Sequence, residues 1–265
     1  MRIQTIELSS LGQFIEAVTP DAPDPRTGRR RDSGIYRGVG HVEHRLLTSL
    51  DRLGGEDPPH TKRELESHIL RNFIRYSRPF VDRREHSDWE MLVTAQHHGL
   101  PTRLLDWTYS PLVAAHFATV DAPGGDRVVW RLDWQRMHHA FGLRALAFQT
   151  ADIEQLSGDA ASPLTPWSLF ERDPSAAPFA CMLEPPSIDA RIVAQSAVFT
   201  LCSDNSRAFD AFLAQHGLLD ALTRFLIPAD AVPRLRDQLD LVTIDERRLF
   251  PDLDGVAARM RRYYS

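Results

Sequence analysis

Ala95-Gln96-His97-His98-Gly99-Leu100-Pro101-Thr102-Arg103-Leu104-Leu105-Asp106-Trp107-Thr108-Tyr109-Ser110-Pro111 crowds amide, imidazole, guanidinium, carboxylate and hydroxyl groups around two backbone breakers, Gly99 and Pro101. Upstream, Trp89, Leu92, Val93 and Gln96 share a helical face over about residues 86–98, and Gly99 ends that helix as a left-handed cap. Leu104 and Leu105 open a short buried strand. Ser110 and Pro111 supply an N-cap and a first-turn proline for the next helix. The body of that helix, Leu112 to Ala118, is rich in small residues and suits close packing on a sheet. Arg103 and Asp106 face opposite sides of their strand, so they do not pair with each other. Asp106, set in apolar sequence, needs a partner, either Arg37 or His97.

Outward from this stretch, Ile35-Tyr36-Arg37 reads as a strand stopped by Gly38 and Gly40. Residues 1–20 read as an alternating segment followed by a short helix, and 20–33 as a loop holding Arg29-Arg30-Arg31. A helix is expected over 61–77, a strand over Val128-Val129-Trp130-Arg131-Leu132, and strands at Ile192-Val193-Ala194 and Val198-Phe199-Thr200-Leu201. Helices at about 207–219, 229–240 and 253–263 close the chain. Residues 151–180 combine acidic residues and prolines with little periodicity, and read as a surface loop or lid with one short helix near Trp167. The elements mix without a regular strand–helix–strand rhythm, which indicates a single α+β domain spanning 1–265.

A net charge of −5 argues against non-specific nucleic-acid binding over the whole surface, while leaving room for a local basic groove. With 43% apolar and 25% charged residues, the composition is that of a soluble globular protein. Cys181 and Cys202 are too few for a disulfide scaffold or a four-cysteine zinc site. The N-terminus lacks the apolar core of a signal peptide, and no run approaches the roughly 20 apolar residues of a membrane helix. The expectation is a cytoplasmic protein with no membrane partner. His41-Val42-Glu43-His44 and His138-His139 offer imidazoles without a third ligand at a characteristic distance, so no metal is expected.

Tyr36-Arg37-Gly38, the run from Gln96 to Thr108, and Arg191-Ile192-Val193-Ala194-Gln195 with Phe199 resemble the FRG domain family, named for its Phe/Tyr-Arg-Gly motif. Phe250-Pro251-Asp252-Leu253-Asp254-Gly255 is similar to its C-terminal signature. The order of motifs also resembles, more loosely, the ADP-ribosyltransferases of the arginine–serine–glutamate type. Those enzymes carry an arginine on an early strand, a hydroxyl-rich strand leading into an alanine–phenylalanine helix, and a late strand with a glutamate. The first motif fits Ile35-Tyr36-Arg37-Gly38, the second loosely fits Leu105 to Ser110 followed by Ala114, Ala115 and Phe117, and the third, Ile188 through Phe199, has Arg191 where glutamate is expected.

The resemblance implies split antiparallel sheets with flanking helices, and NAD as substrate of a transferase or glycohydrolase. It implies a bacterial effector, a toxin or a phage-defence protein, with a protein or nucleic-acid acceptor unspecified. A non-catalytic nucleotide or nucleic-acid sensor is the alternative. A catalytic set of Arg37, His97, Asp106, Thr108 and Gln195 is then expected, with Tyr36, Arg37, Gly38, Gln96, Trp107, Thr108 and Ser110 holding the nucleotide. Arg37 offers a bidentate fork to phosphate or ribose oxygens, or pairs structurally with Asp106. Gly38 would let the ligand approach the backbone. Thr108 and Ser110 stand at a helix N-terminus suited to a pyrophosphate, although Ser110 equally serves as an ordinary cap. His97 is a proton carrier or a dipole-stabilised helix end. Trp107 either stacks on a base or packs in the core. Gln195 can hydrogen-bond a ligand without acting as a base; either Asp106 supplies the carboxylate from another strand, or the site binds NAD-like molecules without transfer.

Overall fold

The computed structural model describes residues 2–25, 27–30, 32–53, 61–82, 86–120, 124–157, 159 and 161–264. Among the described residues seven strands form one sheet: β1 (Gln4–Glu7), β2 (Ile35–Val39), β3 (Leu105–Thr108), β4 (Arg127–Leu132), β5 (Ala180–Leu183), β6 (Ala197–Cys202) and β7 (Leu222–Ile227). Their order is β1-β7-β4-β2-β3-β6-β5. The β1–β7 pair is parallel and every other pair is antiparallel. With its flanking helices this is an α+β fold. The two small sheets expected from sequence are joined into one, but the join is slight. β2 and β3 pair only at Tyr36 and Thr108, whereas β2 pairs with β4 along its whole length.

Helix Asp88–His97 starts at Ser87, whose hydroxyl accepts the Glu90 amide while the Glu90 carboxylate caps Ser87 in return. Gly99 then stops the chain with a φ of 81°. Helix Pro111–Thr119 begins at Ser110, which accepts the Val113 amide. That helix lies directly on β2. A Cβ at Gly38 would sit 2.5 Å from the Ala118 nitrogen and closer still to the Ala114 carbonyl oxygen. Gly38 is therefore spent on helix–strand packing rather than on the approach of a ligand. Tyr36, on the same strand, is 1% exposed, packs against Phe14, and donates its hydroxyl to Asp32, which is also paired with Arg131.

Two sequence expectations are corrected. Residues Ile192–Ala194 lie in a helix, Ala190–Ala194, because the Asp189 carboxylate accepts the Ile192 amide and caps a turn there. The short helix expected near Trp167 is present as Pro166–Phe170, but among its described residues the expected surface loop over 151–180 is anchored in the core. Ile153, Leu164, Leu169, Phe170 and Phe179 are buried in the same cluster as Trp89 and Phe199, and the Trp89 ring donates to the Leu164 carbonyl. Arg31, the last of the arginine cluster, lies outside the described residues. No helix among the described residues is long and apolar enough to cross a membrane. Cys181 and Cys202 are free and buried, and burial pushes both thiols above their ordinary value.

A buried ion network fastens the C-terminal helices to helix Pro111–Thr119. Arg236 lies 3.1 Å from the His116 Nδ1 and donates to the Glu246 carboxylate at 2.7 Å, while Arg262 reaches both Glu246 and Asp240. Burial and then the Arg236 charge push the His116 ring down to about 4. For Glu246, burial works upward, but hydrogen bonds from Arg262 and Arg236 outweigh it and hold the carboxyl at about 2. Between the ordinary histidine value of 6.5 and about 4, the unfolded chain binds a proton at His116 that the folded chain does not. From the ordinary carboxyl value of 4.5 down to about 2, the same holds for Glu246. Stability therefore falls as pH drops through both windows. Thermal unfolding followed from pH 7 to pH 3 checks this, and His116→Gln is expected to flatten the upper part of the fall.

Candidate functional site

Beside the slight join between β2 and β3 lies a cavity of about 1090 Å³. Arg37 spans the two strands at its wall. Its Nη1–H donates to the Asp106 carbonyl at 2.6 Å and lies 3.6 Å from the Asp106 carboxylate. The guanidinium side chain is only 14% exposed, and its Nε–H is buried without a hydrogen-bond partner. Burial draws Arg37 below its ordinary value while Asp106 works in the opposite direction. Of the two candidate partners, Arg37 is the charged neighbour of Asp106; His97 is engaged elsewhere.

Asp106 is held by a chain of hydrogen bonds whose direction can be worked out. The Leu104 amide donates to Thr102 Oγ1 at 3.1 Å, so the Thr102 hydroxyl is left to donate onward. It does so to Gln96 Oε1 at 2.6 Å, which fixes the amide with its Nε2–H toward Asp106 Oδ1 at 2.9 Å. Oδ1 must accept, so the chain holds Asp106 with its second oxygen turned toward Arg37. The Asp106 side chain is nevertheless 54% exposed, so a reactant in the cavity can reach it.

His97 stands on the same cavity wall with its Nε2 against the Asp189 carboxylate. Burial works to raise the Asp189 carboxyl, but the Ile192 amide and the His97 ring outweigh it and hold it below the ordinary carboxylate value. Thr108 and Gln195 also reach the cavity, with the Thr108 hydroxyl and the Gln195 Nε2 bonded to the fold. Thr108 Oγ1 donates to the Gln195 carbonyl at 2.7 Å and accepts the Ser110 amide, and Gln195 Nε2 donates to the Leu249 carbonyl at 3.1 Å. The Trp107 ring lies in the core, where its Nε1–H donates to Thr200 Oγ1 at 3.0 Å, so it is not placed to stack on a base. Ser110 is the helix cap and is not on the cavity wall, which removes the expected pyrophosphate seat at that N-terminus. Tyr36 contributes to the wall from a side chain buried in the core.

Arg52 and Arg191 also line the wall and are not among the expected site residues; Arg52 has no sequence signal, whereas Arg191 opens the Arg191–Gln195 motif. Arg52, in helix Ser49–Leu53, carries a charge that acts on Arg37, and its Nη1–H is held by the Leu47 carbonyl at 2.9 Å. Arg191 lies 4.9 Å from the Phe250 ring centre, with its Nε–H buried and without a hydrogen-bond partner. The other motif arginine, Arg103, is structural: it forms two 2.7 Å bonds to Glu66 and both residues are fully buried. As expected from their spacing, Arg103 and Asp106 do not meet.

The FRG domain family model matches residues 32–126. The chain thus carries an FRG domain at residues 32–126. The match contains Arg37, Arg52, Gln96, His97, Asp106 and the helix that packs on Gly38, whereas Arg191, Gln195 and the C-terminal signature lie beyond it. No curated protein and no solved structure matches the chain.

Thr102→Val removes the hydroxyl that sets the direction of the Asp106 chain and leaves the Leu104 amide and Gln96 carbonyl unsatisfied in a buried position. The variant is expected to lose about 1–3 kcal/mol in urea unfolding. Thr102→Ser, which keeps the hydroxyl, is expected to lose much less.

Proposed function

We propose that the cavity binds NAD and cleaves its nicotinamide–ribose bond, passing ADP-ribose to an acceptor or to water. The observation that carries this reading is the convergence of a buried, partly unpartnered Arg37 guanidinium and a half-exposed, directionally fixed Asp106 carboxylate in one large cavity. The charge balance supports an anionic ligand. Arg37, Arg45, Arg52 and Arg191 line the wall against Asp106, Asp189 and Asp252; Asp189 is paired with His97, and Arg45 with Asp210. The strands of the first two motifs, β2 and β3, are neighbours and β6 with Phe199 lies beside β3, which supports the resemblance to ADP-ribosyltransferases, while Arg191 lies in the helix before β6.

In this reading Arg37 and Arg52 hold the pyrophosphate, whose charge relieves the repulsion between them. Asp106 faces the ribose and stabilises the positive charge that develops as the bond from ribose C1′ to the nicotinamide nitrogen breaks. The bonding electron pair leaves with nicotinamide. The acceptor oxygen forms the new bond to C1′, and its proton passes to the Asp106 carboxylate and then to solvent. Asp106 thereby takes the part that the glutamate plays in the enzymes this chain resembles.

A second reading, a nucleotide sensor without chemistry, is favoured by one specific observation. Arg191 stands in place of the expected glutamate, and the Thr108 hydroxyl and the Gln195 Nε2 are bonded to main-chain carbonyls. Chromatography of NAD incubated with the protein, with and without bacterial lysate, separates the two. Nicotinamide release is expected from the wild type, none from Arg37→Ala, and release slowed about 100-fold or more in Asp106→Asn. Intact NAD in every tube, with folded protein, overturns the enzymatic reading in favour of the sensor.

A further inference from the structure

The arginines on the cavity wall differ in what neutralises them. Arg37 lies against the Asp106 carboxylate, and Arg45 pairs with Asp210 at 3.0 Å. Arg52 donates to the Leu47 carbonyl and stands close enough to Arg37 for their charges to repel. The Arg191 guanidinium has no ion pair and no hydrogen bond among the described residues, and its contact is the Phe250 ring at 4.9 Å. The carboxylates of the same wall are turned to other groups. Asp106 lies against Arg37, Asp189 against His97, and Asp252 accepts the Gly255 amide.

Arg191 is fixed by its surroundings without being neutralised by them. The Asp189 carboxylate caps its helical turn through the Ile192 amide, and the Phe250 ring behind the guanidinium meets Phe117 edge to face at 6.2 Å. A guanidinium stacked on a ring keeps its in-plane N–H groups for an oxygen ligand. With Nε–H buried, the Nη groups are the donors left for that purpose. Arg37 comes from β2 and Arg52 from helix Ser49–Leu53, whereas Arg191 comes from the turn leading into β6, on the far side of β3 from β2. The charges that act on Arg37 are those of Asp106 and Arg52. The wall therefore carries two positive seats. The cavity volume of about 1090 Å³ lies at the upper end of small-molecule clefts, roughly 300–1,000 Å³, and gives room for an anionic group at each.

We propose that Arg191 is a second phosphate seat in this cavity, taking a phosphate monoester that the seat at Arg37 and Arg52 does not hold. The proposal rests on the reading of the cavity as a nucleotide site. A monoester suits an arginine without a counter-ion better than a carboxylate does, because it brings nearly two charges and three acceptor oxygens to the guanidinium. Such a phosphate has two sources: a 2′-phosphate on the adenosine ribose of the dinucleotide, or the terminal phosphate of a nucleotide acceptor.

Titration calorimetry of the full chain with paired probes tests the proposal. ADP-ribose is compared with ADP-ribose 2′-phosphate, and adenosine with AMP on protein saturated with ADP-ribose. The wild type is expected to bind one phosphorylated probe about tenfold or more tighter than its unphosphorylated counterpart, the range for a charge-assisted hydrogen bond. A gain on the 2′-phosphate places the group on the dinucleotide, and a gain on AMP places it on the acceptor. In Arg191→Gln, with its fold checked by circular dichroism, that gain is expected to vanish while ADP-ribose binds as before. Arg191→Lys, which keeps the charge, is expected to retain part of the gain. Equal binding within both pairs, or a gain that survives in Arg191→Gln, overturns the proposal. An Arg191→Gln protein that loses ADP-ribose affinity by the same factor as affinity for the phosphorylated probe overturns it too, by making Arg191 part of the first seat. A wild type that binds no ADP-ribose overturns the nucleotide reading and the proposal with it.

Discussion

β2 and β3 touch at one residue pair, Tyr36 with Thr108, and much of the site follows from how little they share. A full ladder there would have satisfied the backbone and left no need for a cation. Instead the Arg37 guanidinium reaches across to the Asp106 carbonyl and carries a fixed positive charge into the space beside the strands. The same economy explains Gly38. With no side chain there, helix Pro111–Thr119 closes onto β2 and backs the strand that carries Arg37. Thr108, at the one point of contact, ties the start of that helix to the Gln195 turn, so three chain segments are fixed by one hydroxyl.

Asp106 gains its directionality from residues that never face the cavity with a charge. Leu104, Thr102 and Gln96 form a chain in which each donor leaves the next acceptor no alternative, and its end point is a carboxylate oxygen. A cavity carboxylate held in this way keeps its orientation without ligand, which is what a preorganised site requires. The fully buried Arg103–Glu66 pair anchors the run from which Thr102 and Asp106 project. Replacing both with apolar residues need not cost stability, but losing one would strand a charge in the core. The motif's two charged groups are thus divided: Arg103 fixes the run, and Asp106 faces the cavity.

The elements that were legible in sequence are those with local causes. Ser87 and Gly99 bracket their helix by capping chemistry, and Ser110 and Pro111 open theirs. Arg103 and Asp106 do not meet, as expected, although Arg103 precedes β3 and does not lie on it. What was not legible depends on distant partners. Ile192 and Val193 have the composition of a strand, but the Asp189 cap and its hold on His97 make that segment a helical turn. The acidic, proline-containing segment 151–180 hides five core residues because they lack a regular period. Arg52 carries no local signal, since it joins the site only through the packing of a short helix beside Arg37. Trp107 read equally well as a stacking ring or a core residue, and only the Thr200 hydroxyl across the sheet decides for the core.

The central claim is that Arg37 and the cavity around it form a nucleotide site. Titration calorimetry with ADP-ribose, which has the pyrophosphate and both riboses but no bond to cleave, tests that claim without depending on catalysis. Micromolar binding to the wild type is expected, weakened about tenfold or more in Arg37→Ala, the range for loss of a charge-assisted contact. No heat on the wild type, or equal affinity in the two proteins, would contradict it.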